Sequence, residues 1–171
     1  MTNQLPSIII LTAEDDPDDR VLIQDAFQES GQENTLLFVQ DGNDLLHYLR
    51  RQERFVVPGQ APRPDLILLD LNMPIKDGRQ ALAEIKADPN LRSIPVVVLT
   101  ASKSDEDILT TYKLGGAGFI SKPTTFMGLV EVVKGLNQYW FEVVESANGE
   151  RMNKINHGNS NPPQLHEHIS N

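Results

Sequence analysis

The sequence predicts a doubly wound α/β domain, an open, five-stranded parallel sheet with helices on both faces. Two observations predict it. Five short apolar runs alternate with amphipathic stretches, joined by connections of a few residues. The first, third and fourth runs are Ile, Val and Leu with little alternation, the pattern of strands covered on both sides.

The first strand is expected at Ile8–Ala13 and runs into Glu14, Asp15 and Asp16. Asp16-Pro17 reads as a helix cap followed by a first-turn proline, with Asp18 and Asp19 favouring the helix dipole. That helix reaches Gly31 and places Val21, Leu22, Asp25 and Phe27 along one stripe. A second strand at Leu36–Gln40 ends in Asp41-Gly42, an ordinary turn. "DGNDLLHYLRR" then puts Leu45, Leu46 and Leu49 at helical spacing. The proline-rich link "RFVVPGQAPRP", 54–64, reads as a surface excursion before the third strand, Asp65–Asp70. Ala81, Leu82 and Ile85 mark the third helix, which Pro89 stops. The fourth strand is expected at Ile94–Leu99. Ser104 opens "SDEDILTTYKLGG", and Gly118–Ser121 is the fifth strand. The last helix is long, with Leu129, Val132, Val133, Leu136 and Trp140 on one side. Residues 1–7 read as an extension, 8–145 as the domain, and the polar 146–171 as a disordered tail.

With 171 residues the chain suits one domain and a short appendage. The absence of cysteine excludes a disulfide framework, a thiolate zinc site and thiol catalysis, and fits a cytoplasmic setting. No apolar run reaches the ~18 residues of a membrane span, and the N-terminus lacks a signal-peptide pattern. The net charge of −9 argues against direct nucleic-acid binding and for a cation or a basic protein surface. His157, His166 and His168 lie in the tail without an acid cluster and read as solvated side chains rather than metal ligands.

The chemistry gathers at the carboxyl ends of the strands, where ligands sit in such sheets. "LILLDLNMPIKDG", 66–78, sets Asp70 at the end of a buried strand, just before a loop carrying proline and glycine. The first strand ends in Glu14 and Asp15, the fourth in Thr100, and the fifth runs into Lys122-Pro123. Two carboxylates ~4 Å apart repel by about 4 kcal/mol at an effective dielectric of ~20, so this grouping needs positive charge. Mg²⁺, a hard dication that keeps several waters, meets that need together with Lys122. A carboxylate nucleophile, a dication, an ammonium and a hydroxyl are the parts of phosphoryl transfer to an aspartate.

"AEDD", "LILLDLNMPIKDG", "VVVLTA" and "GFISKP", in that order, resemble the landmarks of two-component response-regulator receiver domains. The resemblance covers about residues 8–145 and implies a flavodoxin- or CheY-like sheet of order 2-1-3-4-5. It implies that Asp70 accepts phosphate from a sensor histidine kinase. It also implies that Mg²⁺ is held by Glu14, Asp15, Asp70 and the Asn72 backbone carbonyl. Thr100 and Phe119 become the switch pair, Lys122 the phosphate-binding lysine, and Asn72 and Ser102 the residues that tune dephosphorylation. Phe119 stands where many receivers have tyrosine. The 54–64 insert, "DGR", "EIKADPNLRSIPVVVLTAS", "DI" and "YW" further resemble stand-alone regulators that partner cyanobacterial-type phytochromes. The implied function is a phosphorylation-dependent switch of the face formed by the fourth helix, fifth strand and fifth helix, not an enzyme.

Tyr139, Trp140 and Phe141 are consecutive and cannot all be buried on one helix face. With Tyr112 on the preceding helix, Trp140 suggests a homodimer face. Two rival readings are weighed against the switch. A haloacid-dehalogenase-like phosphatase would need an acid two residues after Asp70, where this chain has Asn72. A receiver-like binding module that is never phosphorylated would not need Glu14, Asp15, Asp70, Thr100 and Lys122 together.

Overall fold

The computed structural model describes residues 6–145; the tail with its three histidines and residues 1–5 lie outside the described residues. Five parallel strands, β1 (Ile9–Ala13), β2 (Thr35–Val39), β3 (Leu66–Leu69), β4 (Val96–Thr100) and β5 (Gly118–Ser121), form one sheet in the order β2-β1-β3-β4-β5. Each strand lies within two residues of its expected place. The helices are α1 (Pro17–Glu29), α2 (Gly42–Arg50), α3 (Gly78–Ala87), α4 (Asp105–Lys113) and α5 (Phe126–Tyr139). One π-helical turn, Trp140–Glu145, continues α5.

Strand periodicity divides the core into two layers. Leu11, Ala13, Ile67, Leu69 and Val96 point to one face and pack with Leu45, Leu46, Ala81, Leu82 and Ile85 from α2 and α3. Ile10, Leu66, Leu68, Val97 and Leu99 point to the other and meet Ile23, Ala26 and Phe27 of α1 and Leu129, Val130, Val133 and Leu136 of α5. All four residues of β3 are buried, so the central strand is a fixed platform for Asp70.

The expected stripe of α1 is corrected. Val21, Leu22 and Asp25 are exposed, and Ile23 and Ala26 join Phe27 as the buried face. Neighbours on a helix lie about 100° apart, and α5 covers the side that carries Ile23. The cap reading of Asp16 holds, because its carboxylate accepts from the Asp18 N–H at 2.9 Å.

Trp140 is also placed differently from the expected dimer face. Its Nε1–H donates to the Asp65 carbonyl at 2.9 Å, and it lines a depression with Arg63, Pro64, Ile94 and Pro95. Tyr139, not Trp140, shares an apolar groove with Tyr112. The indole is thus anchored on the Asp65 side by its only donor. Phe141 is the exposed member of the aromatic trio.

The β3–α3 loop is held by two close backbone approaches. Gly78 N–H donates to the Leu71 carbonyl at 2.9 Å, and a Cβ on Gly78 would lie 2.2 Å from the Asp70 carbonyl oxygen. Gly42 N–H donates to the Lys76 carbonyl at 2.9 Å, where a Cβ would lie 2.3 Å from that oxygen. The "turn" glycine after β2 is therefore a clamp on the loop that follows Asp70. Within this clamped loop Ile75 takes φ +68°, an unusual conformation for a β-branched residue.

Candidate functional site

The sheet ladder carries the strand-end residues into one cluster. Asp70 N–H donates to the Ala13 carbonyl at 3.1 Å, and Lys122 N–H to the Thr100 carbonyl at 2.7 Å. These backbone bonds bring β1, β3, β4 and β5 to a common rim. Thr100 Oγ1 donates to Asp70 Oδ1 at 2.9 Å, and the Asn72 N–H donates to the same oxygen at 3.0 Å. Lys122 Nζ donates to Asp70 Oδ2 at 3.0 Å, to Glu14 Oε2 at 2.8 Å and to Asp19 Oδ2 at 2.7 Å. Each of the three ammonium protons thus has one carboxylate.

Glu14 and Asp70 are buried and Asp15 is exposed, yet one oxygen from each lies within 4.8 Å of the others. When all are ionised, Glu14, Asp15, Asp19 and Asp70 set four negative charges against the single ammonium of Lys122. The cluster is therefore strongly electronegative and short of cations. Burial, reinforced by the charge of Asp70 and opposed by Lys122, pushes Glu14 up to about 7. Burial works against the charge of Lys122, but its bonds to Asp19 and Glu14 and the charge of Asp70 raise its pKa above the ordinary lysine value.

Of the residues expected here, Glu14, Asp15, Asp70, Thr100 and Lys122 converge, with Asn72 joining through its backbone. Ser102 lies at the edge: its N–H donates to Thr100 Oγ1 at 3.4 Å, while its hydroxyl turns to Asp107 Oδ2 at 2.6 Å. Phe119 is removed from the carboxylates and lines the apolar groove with Tyr112, Val132 and Tyr139. The Lys122-Pro123 bond is trans. Asp19 is the residue the sequence reading missed. An acid in the first turn of α1 reads as a dipole partner, and nothing local reveals that it faces a lysine 103 positions away.

The response regulator receiver domain model matches residues 10–134. The chain belongs to the response regulator receiver family. It is 39% identical over 139 residues to response regulator Rcp1 of Synechocystis sp., covering 81% of this chain and 92% of that protein. The crystal structure of the phosphorylated cyanobacterial phytochrome response regulator RcpA superposes with a TM-score of 0.73 at 42% identity, covering 80% of this chain and 96% of that one. The Mn²⁺-bound form of Rcp1 gives a TM-score of 0.71 at 38% identity over 80% and 96% of the two chains. Among the described residues no helix is long and apolar enough to cross a membrane.

Proposed function

We propose that this response regulator accepts a phosphoryl group on Asp70 from a sensor histidine kinase, by the likeness to Rcp1 and RcpA one of phytochrome type. The observation that carries the reading is the convergence on one buried carboxylate: Thr100 Oγ1 and the Asn72 N–H on Oδ1, Lys122 Nζ on Oδ2. Lys122 orients the carboxylate while offsetting its charge, so that one oxygen can attack phosphorus as the P–N bond of the phosphohistidine breaks. Such a kinase partner implies action in the cytoplasm.

Glu14, Asp15 and Asp70 fit a hard dication, being all oxygen donors, close together and undercompensated. With the Asn72 carbonyl they would hold Mg²⁺, which when bound supplies positive charge for the phosphoryl oxygens. Mn²⁺ in Rcp1 supports the same use here.

Once Asp70 carries phosphate, the Thr100 hydroxyl would leave Oδ1 for a phosphoryl oxygen. Phe119 would follow, changing the α4–β5–α5 face between two populations. The groove there, about 330 Å³ and lined by Tyr112, Phe119, Val132 and Tyr139, would take a second copy of the chain. Asn72, whose N–H meets Asp70 Oδ1, and Ser102, whose N–H meets the Thr100 hydroxyl on that same oxygen, would tune hydrolysis of the acyl phosphate.

Intact mass after incubation with acetyl phosphate and Mg²⁺ tests the reading. One added phosphoryl group, lost with EDTA and in Asp70→Asn, is expected; a folded protein that gains none would overturn it.

A further inference from the structure

A second charged cluster lies beside the site, outside the carboxylate group. Arg79, in the first turn of α3, donates through Nε to Asp107 Oδ1 and through Nη2 to Asp107 Oδ2, both at 2.7 Å. Asp107 sits in the first turn of α4, with its side chain 13% exposed. Its Oδ2 also receives the Ser102 hydroxyl at 2.6 Å, and its backbone carbonyl accepts from Thr111 Oγ1 at 2.8 Å. Both carboxylate oxygens are bonded, and the Arg79 bonds, then that from Ser102, keep its pKa below the ordinary aspartate value.

Proton counting gives this cluster its consequence. A carboxylate paired with a guanidinium only accepts, so Ser102 must be the donor in the 2.6 Å contact. A serine hydroxyl has one proton, and this one is committed to Asp107. The oxygen also accepts the Ser104 N–H at 3.3 Å. Yet the Ser102 backbone reaches the reaction centre, because its N–H donates to Thr100 Oγ1, which donates to Asp70. The hydroxyl is therefore on a residue adjoining the site but turned away from it.

We infer that Asp107, clamped by Arg79, is a positioning residue that withholds the Ser102 hydroxyl from the water attacking phospho-Asp70, and so prolongs the phosphorylated state. The inference rests on Asp70 being the phosphoacceptor. In hydrolysis a water oxygen bonds to phosphorus, the bond from phosphorus to the Asp70 oxygen breaks, and its electron pair returns to the carboxylate. Dihydrogen phosphate leaves with both water protons. A hydroxyl free to bond the incoming water would orient it for in-line attack. The clamp denies the site that help.

The test uses the full chain phosphorylated with acetyl phosphate and Mg²⁺, then freed of donor, with the decay of the phosphoryl adduct followed by intact mass. Asp107→Asn is nearly isosteric; with Oδ1 kept on Arg79 Nε, its Nδ2 donates to Ser102 and frees the hydroxyl proton, at the cost of the Arg79 Nη2 bond, and Asp107→Ala removes the acceptor outright. We expect decay about three- to tenfold faster in Asp107→Asn and Asp107→Ala, the scale of one recovered hydrogen bond in the transition state. In the Ser102→Ala background the Asp107 substitutions should have no effect on decay, a coupling that a merely structural role would not produce. Unchanged decay in Asp107→Asn, or acceleration that persists without Ser102, overturns the inference while leaving the Asp70 reading intact. A parent that takes no phosphoryl group overturns both.

Discussion

Thr100 Oγ1 donates to Asp70 Oδ1 at 2.9 Å, across the β3–β4 step and with both side chains buried. The hydroxyl lies against the carboxylate before any phosphate is present. The proposed switch is therefore a change of acceptor for one proton, not a long search by a side chain. Because the Ser102 N–H donates to the same hydroxyl, movement of Thr100 must be felt in the β4–α4 loop.

Thr100→Ala should still take phosphate, since Lys122 and the Asn72 N–H remain on Asp70. The conformational response should be lost. Hydrogen exchange across residues 101–121 checks this, with a phosphorylation-dependent change in the parent and none in the variant. The unmodified variant should be less stable by about 1–2 kcal/mol, from one lost hydrogen bond at a fully buried site.

Glu14 gives a pH dependence with a definite sign. Its native pKa of about 7 lies above the ordinary 4.5, so the native state holds more protons than the unfolded state between these values. Stability from this group therefore falls as pH rises through that window, by on the order of 3 kcal/mol at most. Urea denaturation without divalent cation should show the fall between pH 4.5 and 7. Glu14→Gln should flatten it, and Mg²⁺ should remove most of it in the parent.

The glycine clamps yield a paired prediction. Gly78→Ala places a methyl against the Asp70 carbonyl and must displace the backbone, costing more than about 2 kcal/mol. Gly135→Ala, on α5 with nothing within 4 Å of its Cβ, should stabilise by about 0.5–1 kcal/mol. Urea midpoints at fixed slope measure both.

Self-association is tested at Tyr112. This side chain is 52% exposed and shares its groove with Phe119 and Tyr139. The proposed pairing predicts that the phosphorylated parent sediments as a dimer and phosphorylated Tyr112→Asp as a monomer. An unchanged distribution would remove this face from the account.

The parts legible in the sequence were those with a local signature. Apolar runs that stop at an acid, a threonine or a lysine mark strand ends, and parallel pairing carries those ends to one rim whatever the helices do. Asp70, Thr100 and Lys122 could be read for that reason. What could not be read depends on which helix face meets which neighbour. Asp19 looks like any first-turn acid until β5 brings Lys122 to it. Arg79 and Asp107, 28 residues apart on different helices, look like solvated charges until α3 and α4 stand side by side. Val21 and Leu22 were as apolar as Ile23, and only the position of α5 selects among them. Trp140 stood out as one of three consecutive aromatics, but nothing local shows that the Asp65 carbonyl takes its N–H.

The account rests on Asp70 as the residue that carries the phosphoryl group, and the most direct measurement is to locate it. After acetyl phosphate and Mg²⁺, borohydride reduction converts an aspartyl phosphate to homoserine, which peptide mass spectrometry can place in the chain. The account predicts homoserine at position 70 alone, absent with EDTA and in Asp70→Asn. Homoserine at another carboxylate of the cluster, or none in a folded protein, would contradict it.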